Sequence, residues 1–214
     1  MSPEVVHASV AELIARAKTL VMPNQRTILG ITGAPGAGKS TLCEALKAAL
    51  GSDTAVVGMD GFHLANSELR RLGRASRKGA PDTFDAAGYA ALLERLRRNE
   101  DEIVYAPRFE RSLEESINAA IPIPPTAALI LTEGNYLLTD SGDWPRARAA
   151  MDQVWFIELS PDTRRSRLIE RHEAHGRTAS EAAGWVRDVD EQNAELIEQT
   201  RYRADVVVTL ADSP

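Results

Sequence analysis

The chain has 214 residues, 43% of them hydrophobic and 26% charged, a balance that suits one globular domain with a substantial core and excludes wholesale disorder. Its 25 Lys and Arg against 31 Asp and Glu give a net charge of -6, which disfavours a general binder of DNA or membrane surfaces, since either would need a net basic face. The single cysteine, Cys43, excludes an intramolecular disulfide and any multi-cysteine metal site, and it fits a reducing compartment.

The N-terminal segment MSPEVVHASVAELIARAKTL carries acids early and lacks an unbroken apolar stretch, so it does not read as a signal peptide. Apolar runs elsewhere fall far short of the roughly 18 residues that cross a membrane. A cytoplasmic protein is expected, with neither nucleic acid nor membrane as partner. Val10, Leu13, Ile14, Ala17 and Leu20 recur at helical spacing, so residues 1–23 predict an N-terminal helix that Pro23 ends. Thr27 to Thr32 is a short apolar run of buried-strand type. A glycine-rich turn follows, then a helix over Ser40 to Leu50 with Gly51 as its C-cap. Thr54 to Met59 predicts a second strand. Phe62 to Leu72 reads as helical and Arg74 to Phe84 as a loop. Ala86 to Arg98 is helical, with Tyr89, Leu92, Leu93 and Leu96 on one face. Glu102 to Tyr105 suggests a strand, and the proline-rich stretch 106–126 reads as an irregular excursion.

Buried strands are then predicted at Ala128 to Thr132 and Val154 to Leu159. Pro161 opens a helix at its first position. Thr163 to His175 and Ser180 to Tyr202 are charged helices, and Asp205 to Leu210 is a last strand. Strands alternating with helices imply an α/β fold, a mainly parallel sheet covered on both faces in three α/β/α layers. The whole chain, 1–214, is expected to be a single domain.

Gly33-Ala34-Pro35-Gly36-Ala37-Gly38-Lys39-Ser40 fits G-x-x-x-x-G-K-[ST] in full, with a strand before it and a helix after it. Glycines let the backbone turn several N–H groups toward phosphate oxygens, and the helix adds the positive end of its dipole. Residues 33–41, Thr41 included, are therefore the expected nucleotide-binding set. Lys39 would reach the β- and γ-phosphates, and the Ser40 hydroxyl would face Mg²⁺. ATP and Mg²⁺ are the expected nucleotide and metal.

Asp60 follows one predicted strand and Glu133 another. In a parallel sheet both would share the carboxyl-end rim with the phosphate loop. Phosphoryl transfer to a hydroxyl needs a metal to neutralise charge and a carboxylate to take the acceptor's proton. Asp60 is the candidate base. Ser40, Asp60 and Glu133 are the candidate metal ligands, Glu133 also bordering the substrate.

The ordered set of phosphate loop, MDGFHL, RKGAPDTFD, APRFER and LTEGNYLL resembles the uridine kinase, pantothenate kinase and phosphoribulokinase superfamily of P-loop kinases. Within it the chain looks most like bacterial nucleoside/nucleotide kinase-like proteins often named fructose transport system kinases. The resemblance runs from Thr27 to Leu210. It implies a P-loop NTPase-type fold, a general base at Asp60, a metal-assisting acid at Glu133 and an acceptor site lined by the RKGAPD segment, Arg77 and Lys78 among its residues. It also implies a helical lid over about 161–203. Arg164, Arg167 and Arg171 fall on one helical face there, and Arg167 and Arg171 are the expected catalytic pair that closes over the transferred group with Lys39. His63 and Arg108 are further acceptor candidates.

The expected activity is transfer of the γ-phosphoryl group from ATP to a hydroxyl of a sugar, nucleoside or pantothenate-like acceptor. The alternative is a nucleotide-hydrolysing switch with no small-molecule acceptor. The sequence leaves open whether the chain forms a homodimer.

Overall fold

The computed structural model describes residues 2–22 and 25–211. Its frame is a six-stranded sheet in the order β1 (Glu4–Ala8), β8 (Val206–Leu210), β7 (Gln153–Glu158), β2 (Thr27–Thr32), β6 (Leu129–Glu133) and β3 (Thr54–Gly58). Every neighbouring pair is parallel. All six strands therefore end at one rim, which is where an open parallel sheet places its ligands.

Alternation along the strands splits the interior into two cores. Ile28, Ile130, Val154, Phe156 and Val207 face one side, where they pack with Tyr89, Leu93 and Leu96 of α4 (Ala86–Arg98) and with Trp144 and Ala147 of α5 (Trp144–Ala149). Leu29, Ile31, Leu131, Trp155, Ile157 and Val208 face the other, against Leu13 and Ala17 of α1 (Val10–Leu20) and Leu42, Cys43 and Leu46 of α2 (Lys39–Leu50). Each fully buried aliphatic side chain contributes about 1.5–3 kcal/mol, so both faces hold the sheet. Arg26 bridges the lower edge of this assembly. It is buried, and its guanidinium donates to the carbonyls of Ala127, Leu96 and Pro124 at 2.8, 3.1 and 2.7 Å.

Four expectations are corrected. The N-terminal helix does not fill residues 1–23: Glu4–Ala8 is the edge strand β1, paired from Glu4↔Val206 to Ala8↔Leu210. The helical periodicity begins only at Val10, and Ser9 caps α1 in a reciprocal capping box with Glu12. Pro23, expected to end that helix, lies outside the described residues; α1 stops at Leu20.

The irregular excursion is an antiparallel hairpin of β4 (Val104–Glu110) and β5 (Glu115–Ile123). Two of its prolines are absorbed at the places a ribbon tolerates them: the pairing shifts between Ala106 and Arg108, around Pro107, and Pro122 sits opposite Tyr105.

The helix expected over Phe62–Leu72 is only α3 (Asn66–Arg71). A short 3₁₀ turn over Met59–Phe62 and a bridge from His63 to Phe84 precede it. The late helix is interrupted as well. α6 (Pro161–Ala174) is followed by α7 (Ala179–Trp185), a π-helical turn at Val186–Asp190 and α8 (Glu191–Glu198).

Candidate active site

The phosphate loop joins the end of β2 to the start of α2. Gly33, Gly36 and Gly38 hold φ values of 146°, 81° and 94°, a region that side chains with a Cβ rarely adopt. Space is equally restrictive at Gly33, where a Cβ would lie 2.5 Å from the carbonyl oxygen of Ile157. Lys39 is buried, and its Nζ donates to the carbonyls of Gly33 and Ala34 at 2.9 and 3.1 Å. Burial pushes its pKa down to about 8; Glu133 and Asp60 pull the other way.

Sheet register brings the two acids beside this loop. Glu133, the last residue of β6, pairs with Ile31 on one side and with Gly58 on the other. It thus stands two residues short of Gly33 and two short of Asp60. Burial and the Asp60 charge raise the Glu133 carboxyl above the usual carboxylate range, against Lys39, Ser40 and Arg111. Asp60 opens the 3₁₀ turn after β3, and its carbonyl accepts from the His63 backbone N–H at 3.2 Å and lies 2.9 Å from His63 Nδ1. The His63 ring sits between Phe84 and Phe109, at centroid distances of 4.0 and 4.8 Å. Burial lowers its pKa, with the charge and carbonyl of Asp60 opposing.

A cavity of about 560 Å³ opens over the loop, lined by Lys39, Ser40, Thr41, Arg111, Arg167 and Arg171 among others. The three arginines that share a face of α6 in the sequence part company in space. Arg167 and Arg171 border the cavity. Arg164 is buried, donating to the Pro35 carbonyl at 3.1 Å and to Glu191 at 2.7 Å, so it anchors the loop to α6 and α8.

The remaining candidates divide. Lys78 donates to the Asn66 amide oxygen at 2.8 Å and to the Glu114 carbonyl, with its ammonium 5.1 Å from the centre of the Phe109 ring. It therefore joins the loop after α3 to the hairpin turn beside His63. Arg77 and Arg108 are not brought to the cavity. Arg77 is exposed in a two-pronged pair with Asp82 at 2.6 Å, and Arg108 is exposed 3.6 Å from Glu110. Trp144 and Trp155 are core residues, as packing roles require, and Trp185 lies 3.9 Å beneath the Arg177 guanidinium. Asp190 is buried against His172 at 2.8 Å, while Asp188 pairs with Arg187 on the surface.

Two contributors escape a residue-by-residue reading. Tyr136 is fully buried, donates to the Gly79 carbonyl at 2.5 Å and lies 3.2 Å from the Asn193 amide oxygen, tying the RKGAPD loop to α8. Arg111 reaches the cavity from the hairpin. The signal for it was present in PRFER, but only the hairpin distinguishes Arg111 from Arg108.

The donor set suits Mg²⁺. Ser40 offers a hydroxyl and Asp60 and Glu133 offer carboxylates, all hard oxygen ligands, and Mg²⁺ takes one or two carboxylates together with waters and substrate phosphates. Among the described residues no three His, Cys, Asp or Glu side chains gather into an all-protein metal cage. No helix among them is long and apolar enough to cross a membrane.

A parallel sheet with a phosphate loop leaving its interior strand, and carboxylates on the same rim, is the build of the P-loop kinases, phosphotransferases with an alcohol group as acceptor. This chain is one of that class. No family model matches the chain. It is 31% identical over 212 residues to "Putative uridine kinase C227.14" of Schizosaccharomyces pombe, spanning 94% of this chain and 90% of that protein. It is also 31% identical over 214 residues to "Uncharacterized protein YggC" of Escherichia coli, spanning 98% and 88%. Among solved structures, a "putative fructose transport system kinase" from Silicibacter sp. TM1040 superposes with a TM-score of 0.85 at 36% identity, covering 94% of this chain and 98% of that one. YFH7 of Saccharomyces cerevisiae, at 16% identity and TM-score 0.82 over 96% of this chain and 100% of its own, shares the fold. The chain belongs to the uridine kinase-like family of P-loop kinases.

Proposed function

We propose that the protein transfers the γ-phosphoryl group of ATP to a hydroxyl of a small sugar, nucleoside or pantothenate-like acceptor. The observation that carries this is the register at the sheet rim: Glu133 pairs with both Ile31 and Gly58, so the phosphate loop and Asp60 flank one carboxylate. A second acid beside the loop supplies the carboxylate that takes an acceptor hydroxyl's proton.

In this reading the backbone N–H groups of the phosphate loop, to which Pro35 contributes none, and the ammonium of Lys39 hold the β- and γ-phosphates. Asp60 accepts the proton of the acceptor hydroxyl as its oxygen bonds to the γ-phosphorus and the bond from that phosphorus to the ADP oxygen breaks. Mg²⁺, when bound at Ser40, Asp60 and Glu133, supplies charge neutralisation on the phosphate oxygens. Arg167 and Arg171 oppose the charge of the group in flight, and residues 161–203 act as the lid that excludes water. His63, with Lys78 behind it, borders the acceptor. A single kinase domain in the cytoplasm, acting on ATP and a small molecule, fits this arrangement.

The test is ADP release in the presence of Mg·ATP with a panel of sugars, nucleosides and pantothenate. Release that depends on one acceptor class is the expected result. Release that is the same with and without every acceptor would replace the kinase by a nucleotide-hydrolysing switch.

A further inference from the structure

The turn between β4 and β5, residues 111–114, hangs from the acceptor side of the molecule, yet it places one side chain in the cavity over the phosphate loop. That side chain is Arg111, which lines the cavity with Lys39, Ser40, Arg167 and Arg171. It comes from a different part of the fold than α6, which carries the other two arginines.

The neighbouring charges are arranged so that Arg111 is left to the cavity. Glu110 accepts from the Ser112 hydroxyl and backbone N–H at 2.8 and 3.3 Å and has Arg108 at 3.6 Å. Glu114 has Lys78 at 3.9 Å. Glu115 accepts from the backbone N–H of Asn66 at 3.1 and 3.2 Å, and the Asn66 amide donates to the Glu114 carbonyl at 3.0 Å. Among the described residues no carboxylate forms an ion pair with Arg111, while its neighbours Arg108 and Lys78 have Glu110 and Glu114.

The turn is also held. Lys78 and Asn66 clamp its far end at Glu114 and Glu115, and Glu114 adopts φ 52° there. The guanidinium therefore projects from a fixed backbone. A planar fork of donors on a held turn, facing a loop built for phosphate, suits a phosphoryl group better than a lone solvated charge would.

We propose that Arg111 contacts the terminal phosphoryl group of the bound nucleoside triphosphate, making it a further catalytic residue supplied by the hairpin rather than by the lid. This rests on the kinase reading above. It links the two sides of the site: the hairpin whose Phe109 packs on His63 also carries the cation that meets the group to be transferred. The β-phosphate, deeper in the loop, lies outside its task.

The experiment is calorimetric titration with Mg²⁺ and either AMP-PNP, which keeps a terminal phosphoryl group, or ADP, which lacks one. In Arg111→Gln the affinity for AMP-PNP is expected to fall about tenfold or more while that for ADP stays within about twofold, as for loss of one charge-assisted hydrogen bond. Arg111→Lys should fall between Gln and wild type. Because the residue is exposed on a turn, the thermal midpoint should not move. Equal weakening of both nucleotides, or no weakening of either, overturns the assignment. A wild-type protein that binds neither nucleotide overturns the kinase reading and this assignment with it, which is a different result from lost discrimination alone.

Discussion

Lys39 illustrates how a single residue is tuned here. Its ammonium is withdrawn from water and satisfied by two carbonyls of its own loop, and burial lowers its pKa to about 8. Phosphate binding needs the protonated form. In the free protein that form is dominant below about 8 and lost above it. Nucleotide affinity should therefore be flat from neutrality up to about pH 8 and then fall by up to about tenfold per unit. Calorimetry across this window checks it; an affinity unchanged up to about pH 9.5 would show that the Lys39 charge is not what the nucleotide uses. The sign for folding is the reverse. A lysine with a lowered folded pKa burdens the native state while both states are charged, so this one group adds stability as pH rises from about 8 toward its ordinary 10.5. At this scale the placement of Lys39, Ser40, Asp60 and Glu133 at the carboxyl-end rim was legible in the sequence, because each is set by its distance from a strand end. It was not legible for Arg77 and Arg108, whose guanidiniums are taken by Asp82 and Glu110.

Elements are held to one another by a few polar anchors. Arg164 is the clearest: it spans from the Pro35 carbonyl in the phosphate loop to Glu191 at the start of α8. Glu191 also accepts from Arg165 at 2.7 Å. Burial tends to raise the Glu191 carboxyl, but hydrogen bonds from Arg165 and Arg164 outweigh it and keep the pKa low. That contribution is present above the ordinary carboxylate range and fades as pH falls through the lowered value. Arg164→Ala would strip a partner from both Glu191 and the loop. We expect a loss of about 2 kcal/mol in chemical denaturation, as for removing charge-assisted hydrogen bonds while Glu191 keeps Arg165, with weaker nucleotide binding because Pro35 is no longer held. Unchanged stability and affinity would reduce Arg164 to a passive filler. Helical spacing had put Arg164, Arg167 and Arg171 on one face, but only Arg164 is buried, while Arg167 and Arg171 border the cavity. What each meets depends on how far along α6 it sits from the loop, which spacing alone does not encode.

Over the whole molecule the net charge of -6 and the site's charge have opposite signs. Lys39, Arg111, Arg167 and Arg171 converge on one cavity, while many surface acids are matched by arginines in pairs such as Glu94 with Arg146 and Asp101 with Arg95. A triphosphate thus meets a local positive field inside an acidic protein. Screening should weaken Mg·ATP binding several-fold between about 0.05 and about 0.5 M salt. Binding that is indifferent to salt over that range would mean that this cluster does not carry the affinity.

The α/β alternation, the phosphate loop and the two strand-end acids were fixed by local information: apolar runs of strand length, glycines where φ must be positive, and acids next to strand termini. Those features act over a few residues, so the chain states them directly. The tertiary structure alone decided that residues 4–8 are an edge strand rather than part of a helix, since only the exposed side of β8 gives them a partner. It alone decided that the stretch around 106–126 is a hairpin, because cross-strand pairing outweighs the signal of its prolines. It also decided that Arg111, and not Arg108, reaches the phosphate cavity. Each of these depends on which segment lies opposite, and contacts between residues far apart in the chain leave no local mark in the sequence.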